Sequence, residues 1–358
     1  MSGVITRTGV ARLLIAAALL SSACQQPPES PSTAGVREAR RVQFDPADPG
    51  RLLVVEREGD VGLWRVDDPK NPRGEHQIAA HAIDARFLPA GQGVVTGGAD
   101  GRVRRFLLDG SPVWATPEKH TGPIRGLAVG PDRIASAGED GDVRLWTFAG
   151  TPAGTLGTDG GMVLAIAFAP NGDRLVAETA DTRLRLWQRD GANGVYNRAV
   201  MFRDVDKRYA RLLPNLVHYD VGWGWDRSLA FAPDGSALAA ADFDGAVQRW
   251  SLTGTPIGEP LPSQGKQHIR AIAVAPDGRL AAAVYDGTVQ IWPANGGAPA
   301  AFKVGAGSTT AVAFAPDGKR LATAGMDGAV NLWTSDGTRA GALPAAPAED
   351  AAPRGTAR

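Results

Sequence analysis

Cysteine is almost missing from this chain: the single Cys24 excludes an internal disulfide and any metal site built from several thiolates. Neither sign of charge is in surplus, with 38 basic and 38 acidic residues. Leaving out residues 1–23, which carry only Arg7 and Arg12, the balance is 36 against 38. A neutral surface lacks the electrostatic footprint of a nucleic-acid binder. Long apolar runs are missing too. Leu13–Leu20 holds eight apolar residues, too few to cross about 30 Å of hydrocarbon. No convincing helix stands out, and so no glycine-rich phosphate loop leads into one.

What the chain has is repetition. His120–Trp146 reads as a loop, an apolar strand at Ile124–Val129, a Pro-Asp turn and a second strand at Arg133–Ala137. A tight turn at Asp140-Gly141 then leads to a third strand ending at Trp146. The turn-plus-strand signature recurs as EGDVGLW, DGRVRRF, DGDVRLW, DTRLRLW, DGAVQRW, DGTVQIW and DGAVNLW. Its closing aromatics are Trp64, Phe106, Trp146, Trp187, Trp250, Trp292 and Trp333, so the steps are 42, 40, 41, 63, 42 and 41 residues. A sheet of this size cannot bury both its faces alone, so the copies must stack, one four-stranded blade per repeat.

These repeats, with the turns Pro233-Asp234-Gly235, Pro276-Asp277-Gly278 and Pro316-Asp317-Gly318, resemble the WD-repeat β-propellers over roughly Arg37 to Leu343. The resemblance implies an all-β, seven-bladed propeller of four-stranded antiparallel blades over residues 37–343. It also implies a buried network of a His before the first strand, a Ser or Thr on the second, the turn Asp and the closing Trp. Blade three matches fully with His120, Ser136, Asp140 and Trp146. Blade two offers His81, Thr96 and Asp100 but closes on Phe106; blade six offers His268, Asp286 and Trp292 but has Ala282; blade seven offers Thr323, Asp327 and Trp333 without a His. An Asp and a His that recur at blade period are structural, not a catalytic dyad.

The 63-residue step makes room for an insertion at about 203–226, after Gly194–Phe202 has supplied the outer strand of blade four. Ring closure has two solutions: an outer strand for blade seven from Thr338–Leu343, which we favour, or one borrowed from the N-terminus. Residues 344–358 form an Ala/Pro tail expected to be disordered. At the other end, a short basic stretch, the apolar run and Ser21-Ser22-Ala23 precede Cys24, the layout of an export signal. It resembles the bacterial lipoprotein box, with Leu20 four residues before Cys24 where three is preferred. The resemblance implies a signal peptide at 1–23, lipid attachment at Cys24 and a Pro/Ser-rich tether at 24–36. It also implies localisation at the cell envelope. Gln25 rather than Asp after Cys24 favours the periplasmic face of an outer membrane.

Enzymatic propellers gather ligands on the inner strands. Those strands contain no His, Cys or Glu here, and Asp84 is their one acidic residue. One carboxylate makes neither a metal site nor an acid–base pair. The expectation is therefore no catalysis, no metal and no cofactor. The protein would be monomeric on its own, bind no nucleic acid and meet the membrane only through its lipid. Its function would be that of a protein-interaction scaffold with unknown protein partners. The alternatives are an accessory lipoprotein in envelope assembly and a propeller-type enzyme. The residue before the turn Asp should point outward on one rim: Phe243, Tyr285 and Met326 in blades five to seven, against Ala99, Glu139 and Ala180 in blades two to four. The insertion brings Tyr209, His218, Tyr219, Trp223 and Trp225 to that rim, and Arg125, Arg227 and Arg270 stand near the starts of their first strands. Together they form a candidate docking surface for a partner with apolar and acidic groups. In the competing reading, the insertion packs on Phe243 and Tyr285 as a lid.

Overall fold

The computed structural model describes residues 39–68, 73–159, 161–181, 183–191, 194–202, 229–241, 245–305 and 307–343. Outside them lie the expected signal, Cys24, the tether, the insertion at 203–226 with its aromatic residues, Arg227, Phe243 and the tail.

The strands form seven sheets of four, each antiparallel and each running in sequence order from the inner strand outward. The inner strands are Ala39–Phe44, Ala82–Phe87, Ile124–Val129, Val163–Phe168, Leu229–Phe231, Ile269–Val274 and Thr309–Phe314, and each packs beside the next around a ring. Burial follows position in the blade. Second strands such as Arg133–Gly138 and Leu280–Val284 are buried nearly end to end, because a neighbouring blade covers each face. Outer strands such as Pro112–Ala115 and Ala300–Lys303 are largely exposed.

The described core divides into seven apolar clusters, one in each interface between adjacent blades. Thus Val95, Val103, Ile124, Leu127 and Trp146 join blades two and three. Ala39, Val42 and Phe44 meet Ala311, Ala322 and Leu332 where blade one meets blade seven. The outer strand of blade seven is Arg339–Ala342, paired to the strand Val330–Thr334. Among the described residues no strand is shared across that seam. Side chains cross it instead: Thr310 Oγ1 donates to the Ala39 carbonyl at 2.5 Å, and Arg320 donates to the carbonyls of Val66 and Pro49 at 2.9 and 2.6 Å.

One irregularity recurs. In six blades the register between inner and second strand shifts at the second residue of the inner strand, leaving one residue unopposed. These residues are Arg40, Ile83, Arg125, Leu164, Arg270 and Thr310. A bulge breaks the alternation of side chains and re-aims the residue it contains. Here it lets consecutive residues such as Arg125, Gly126 and Leu127 all line the central channel.

Candidate functional site: the propeller rim and channel mouth

Most turns joining second and third strands are built on Asp-Gly, and Gly141 takes φ +84°, a conformation that suits glycine. The residue before the Asp therefore stands out on the rim. Tyr285 is 50% exposed there, Ala99 is exposed, and Glu139 and Met326 are half-buried. Two bulge arginines reach up to this row. Arg270 lies over the Tyr285 ring, its guanidinium carbon 5.1 Å from the centroid. Arg125 Nε donates to Glu139 Oε1 at 2.5 Å. Arginine on the inner strand thus touches the residue before the turn in both blades, with a different partner in each. Of the candidate docking residues, Tyr285, Met326, Arg125 and Arg270 fall among the described residues.

Below the rim of blade three, four side chains form one chain of hydrogen bonds. His120 Nδ1 is 2.8 Å from Asp140 Oδ1, and His120 Nε2 is 2.8 Å from Ser136 Oγ. Trp146 Nε1 donates to Ser136 Oγ at 2.9 Å. Every group is satisfied when His120 is neutral: tryptophan donates to serine, serine to Nε2, and Nδ1–H to the carboxylate. Burial of the imidazole favours that state and lowers its pKa, outweighing the pull of Asp140 in the other direction. For Asp140 burial pushes upward, but His120 and the backbone N–H groups of Thr121 and Asp142 together hold its carboxyl below the ordinary range. The residues around Asp140 are packed tightly: a Cβ on Gly138 would overlap both His120 Nδ1 and Asp140 Oδ1.

The other blades depart from this arrangement. His81 is exposed with φ 60°, and Asp100 is forked instead by Arg104, at 3.0 and 2.5 Å. His81 immediately precedes its strand, whereas His120 has three residues between it and its strand in which to fold back toward the turn. In blade six Asp286 takes Lys303 Nζ at 2.9 Å. In blade seven Trp333 Nε1 donates to Thr323 Oγ1 at 2.9 Å. Blade four substitutes Arg185, which binds Asp181 through both Nη atoms at 3.0 and 2.7 Å and also reaches Thr179. The signal for Arg185 was legible, since an Arg follows the turn Asp by four residues in blades two, three and four.

Asp84 plays a part that its isolation in the sequence did not suggest. Its side chain is 1% exposed and lies 2.6 Å from both Arg41 Nε and Arg86 Nη1. It also accepts from the backbone N–H of Leu127 at 2.8 Å. One carboxylate of blade two therefore ties blades one and three. Arg40, Arg41 and Arg86 join Arg125 and Arg270 in lining the channel, and of the five only the last two stand out in the sequence as rim candidates. Among the described residues no group of three or more His, Cys, Asp and Glu could hold a metal ion, and no helix is long and apolar enough to cross a membrane.

The fold and its blade chemistry define a seven-bladed β-propeller of four-stranded antiparallel blades. The family described as "WD domain, G-beta repeat" matches residues 113–147, 150–188, 258–293 and 302–334, consistent with a WD40 propeller. Each match takes in outer-strand residues and the first three strands of the next blade, ending one residue past Trp146, Trp187, Trp292 or Trp333. Small ribosomal subunit protein RACK1y of Oryza sativa subsp. japonica is 26% identical over 168 residues, 46% of each chain. Protein HIR1 of Yarrowia lipolytica (strain CLIB 122 / E 150) is 26% identical over 158 residues, 36% of this chain and 15% of its own. The chain thus spans less than half the length of the curated relatives it matches.

Proposed function

We propose that this propeller is a non-catalytic protein-interaction scaffold, held by a lipid on Cys24 at the periplasmic face of a bacterial outer membrane. WD40 propellers are typically interaction scaffolds, which supports the coarse reading. The observation that carries the finer one is Tyr285, an aromatic ring left half in water on the rim and flanked by the cation of Arg270. Met326 occupies the matching place on the next blade. An amphipathic aromatic beside an arginine is the composition of an interface anchor. The anchoring rests on the residues before Cys24 and on the Pro/Ser-rich stretch after it. Acylation would place the ring at a membrane surface with no segment inside it.

The test has two arms. Cross-linking in cells followed by purification should recover the same partner with wild type and lose it with Tyr285→Ser plus Met326→Ser, while the melting temperature stays nearly unchanged. Capture that survives the double substitution removes the rim from consideration. Cys24→Ser should shift the protein from the membrane to the soluble envelope fraction or leave the signal uncleaved; a mutant that fractionates and migrates like wild type has no lipid at Cys24.

A further inference from the structure

The central channel holds a cavity of ≈ 80 Å³ whose lining includes Arg40, Arg41, Arg86, Arg125 and Arg270, together with Thr310. No carboxylate is among its described lining residues. Asp84 and Glu139 stand behind the arginines: Asp84 holds Arg41 and Arg86 from below, and Glu139 holds Arg125 from the rim. The rest of the lining is aliphatic side chain and inner-strand backbone. Arginine residues of blades one, two, three and six thus border one small space.

Their placement is built into the fold. Arg40, Arg125 and Arg270 are the bulged residues of their strands, so the irregularity that re-aims a side chain puts an arginine at the channel in each of three blades. Arg41 and Arg86 share one oxygen of a fully buried aspartate, which fixes both stems. Like charges gathered around a low-dielectric space repel one another and raise the local potential for an anion. Arginine offers planar, paired N–H donors that match phosphate and carboxylate oxygens. The volume suits the same ligand. At about 10–15 Å³ of such space per water, the cavity corresponds to roughly half a dozen waters, room for one oxyanion but not for a nucleotide.

We propose that the channel is a binding site for a small oxyanion, a phosphate or carboxylate group held by the bulge arginines Arg40, Arg125 and Arg270 with Arg41 and Arg86. The group could belong to a free ion or to an acidic side chain reaching in from the rim. The site does not depend on the lipid anchor or on the Tyr285 surface.

Calorimetric titration at low ionic strength with inorganic phosphate and, separately, with a tri-glutamate peptide tests the assignment. Saturable binding of either probe is expected, weakened at least about tenfold in Arg40→Gln plus Arg270→Gln. Phosphate binding identifies a free oxyanion, and binding of the peptide alone identifies carboxylate side chains. Arg40→Lys plus Arg270→Lys keeps the charge but loses the fork, and should fall between wild type and the glutamine pair. Should the glutamine pair fail to fold, the lysine pair carries the test, with about a threefold or greater loss expected. The proposal is overturned if neither probe saturates up to about 10 mM, or if the folded variants bind as tightly as wild type.

Discussion

Arg185 is fully buried and clasps both oxygens of Asp181, at 3.0 and 2.7 Å, inside blade four. Its Nε makes no hydrogen bond, so the fork to Asp181 and the contact with Thr179 carry the cation. Burial raises the Asp181 carboxyl, but the bonds from Arg185 and Thr179 together hold it below the ordinary range.

Removing the anion should hurt more than removing the cation. Asp181→Asn leaves a buried guanidinium without its counter-charge and should cost on the order of 2–3 kcal/mol, toned down by the partial exposure of Asp181. Arg185→Met fills the space with apolar atoms and should cost about 1 kcal/mol or less. Urea unfolding of both variants decides the matter, since the reverse order would mean that Arg185 is stabilised chiefly by packing.

The His120 chain gives a pH signature. A histidine whose pKa is lower in the folded state than its ordinary 6.5 takes up protons more readily when unfolded. Its contribution is therefore complete above about pH 6.5 and is lost as pH falls from there through the folded value. Asp140, held low, adds a second loss only at lower pH, within and below the carboxylate range. The melting temperature should fall between pH 7 and 5 in wild type and lose much of that slope in His120→Gln. An identical slope in the variant would assign the acid sensitivity elsewhere.

Cutting the same chain at its ends should cost stability at neutral pH. Asp140→Ala strips a partner from His120 Nδ1 and from the Thr121 and Asp142 N–H groups, and should cost about 1–3 kcal/mol. Gly138→Ala should cost a similar amount although it removes no hydrogen-bonding group, because its methyl displaces His120 and Asp140 together. Unchanged thermal melts in both would show that the bonds contribute little.

The blades were legible because each repeat ends in a turn only a few residues satisfy. Gly141, Gly287 and Gly328 take φ of +84°, +81° and +77° beside an Asp, and a large apolar aromatic closes the strand that follows. Those demands are local, so they show in one repeat at a time. The channel was not legible in this way. The bulge that brings Arg40, Arg125 and Arg270 to the channel lining is a register shift between strands, which no residue spells out. Asp84 was read as a lone carboxylate because its partners sit on two other blades and meet it only when the ring closes. His81 misled in the opposite sense: the residue type fitted, but its position next to the strand left no loop to carry it to Asp100.

The ring seam uses a device found elsewhere in the molecule. Arg279, just before the second strand of blade six, donates to the Gly318 and Ser335 carbonyls of blade seven at 2.7 and 3.3 Å and lies 5.6 Å from the Phe314 ring centroid. Arg320, at the same place in blade seven, reaches the Val66 and Pro49 carbonyls of blade one and lies 5.6 Å from Phe44. First and last blades therefore meet as blades six and seven do, by an apolar cluster and an arginine clamp, with no exchanged strand among the described residues. The difference is that no covalent link spans the seam. Arg279→Ala loosens two blades that the chain still joins, whereas Arg320→Ala loosens the ring at its opening. Each should cost about 1–3 kcal/mol in global stability. Only Arg320→Ala should raise amide exchange selectively in Ala39–Phe44 and Thr309–Phe314, the strands that face each other across the seam. Exchange that rises equally in both variants, or in neither, would mean that the apolar cluster alone closes the ring.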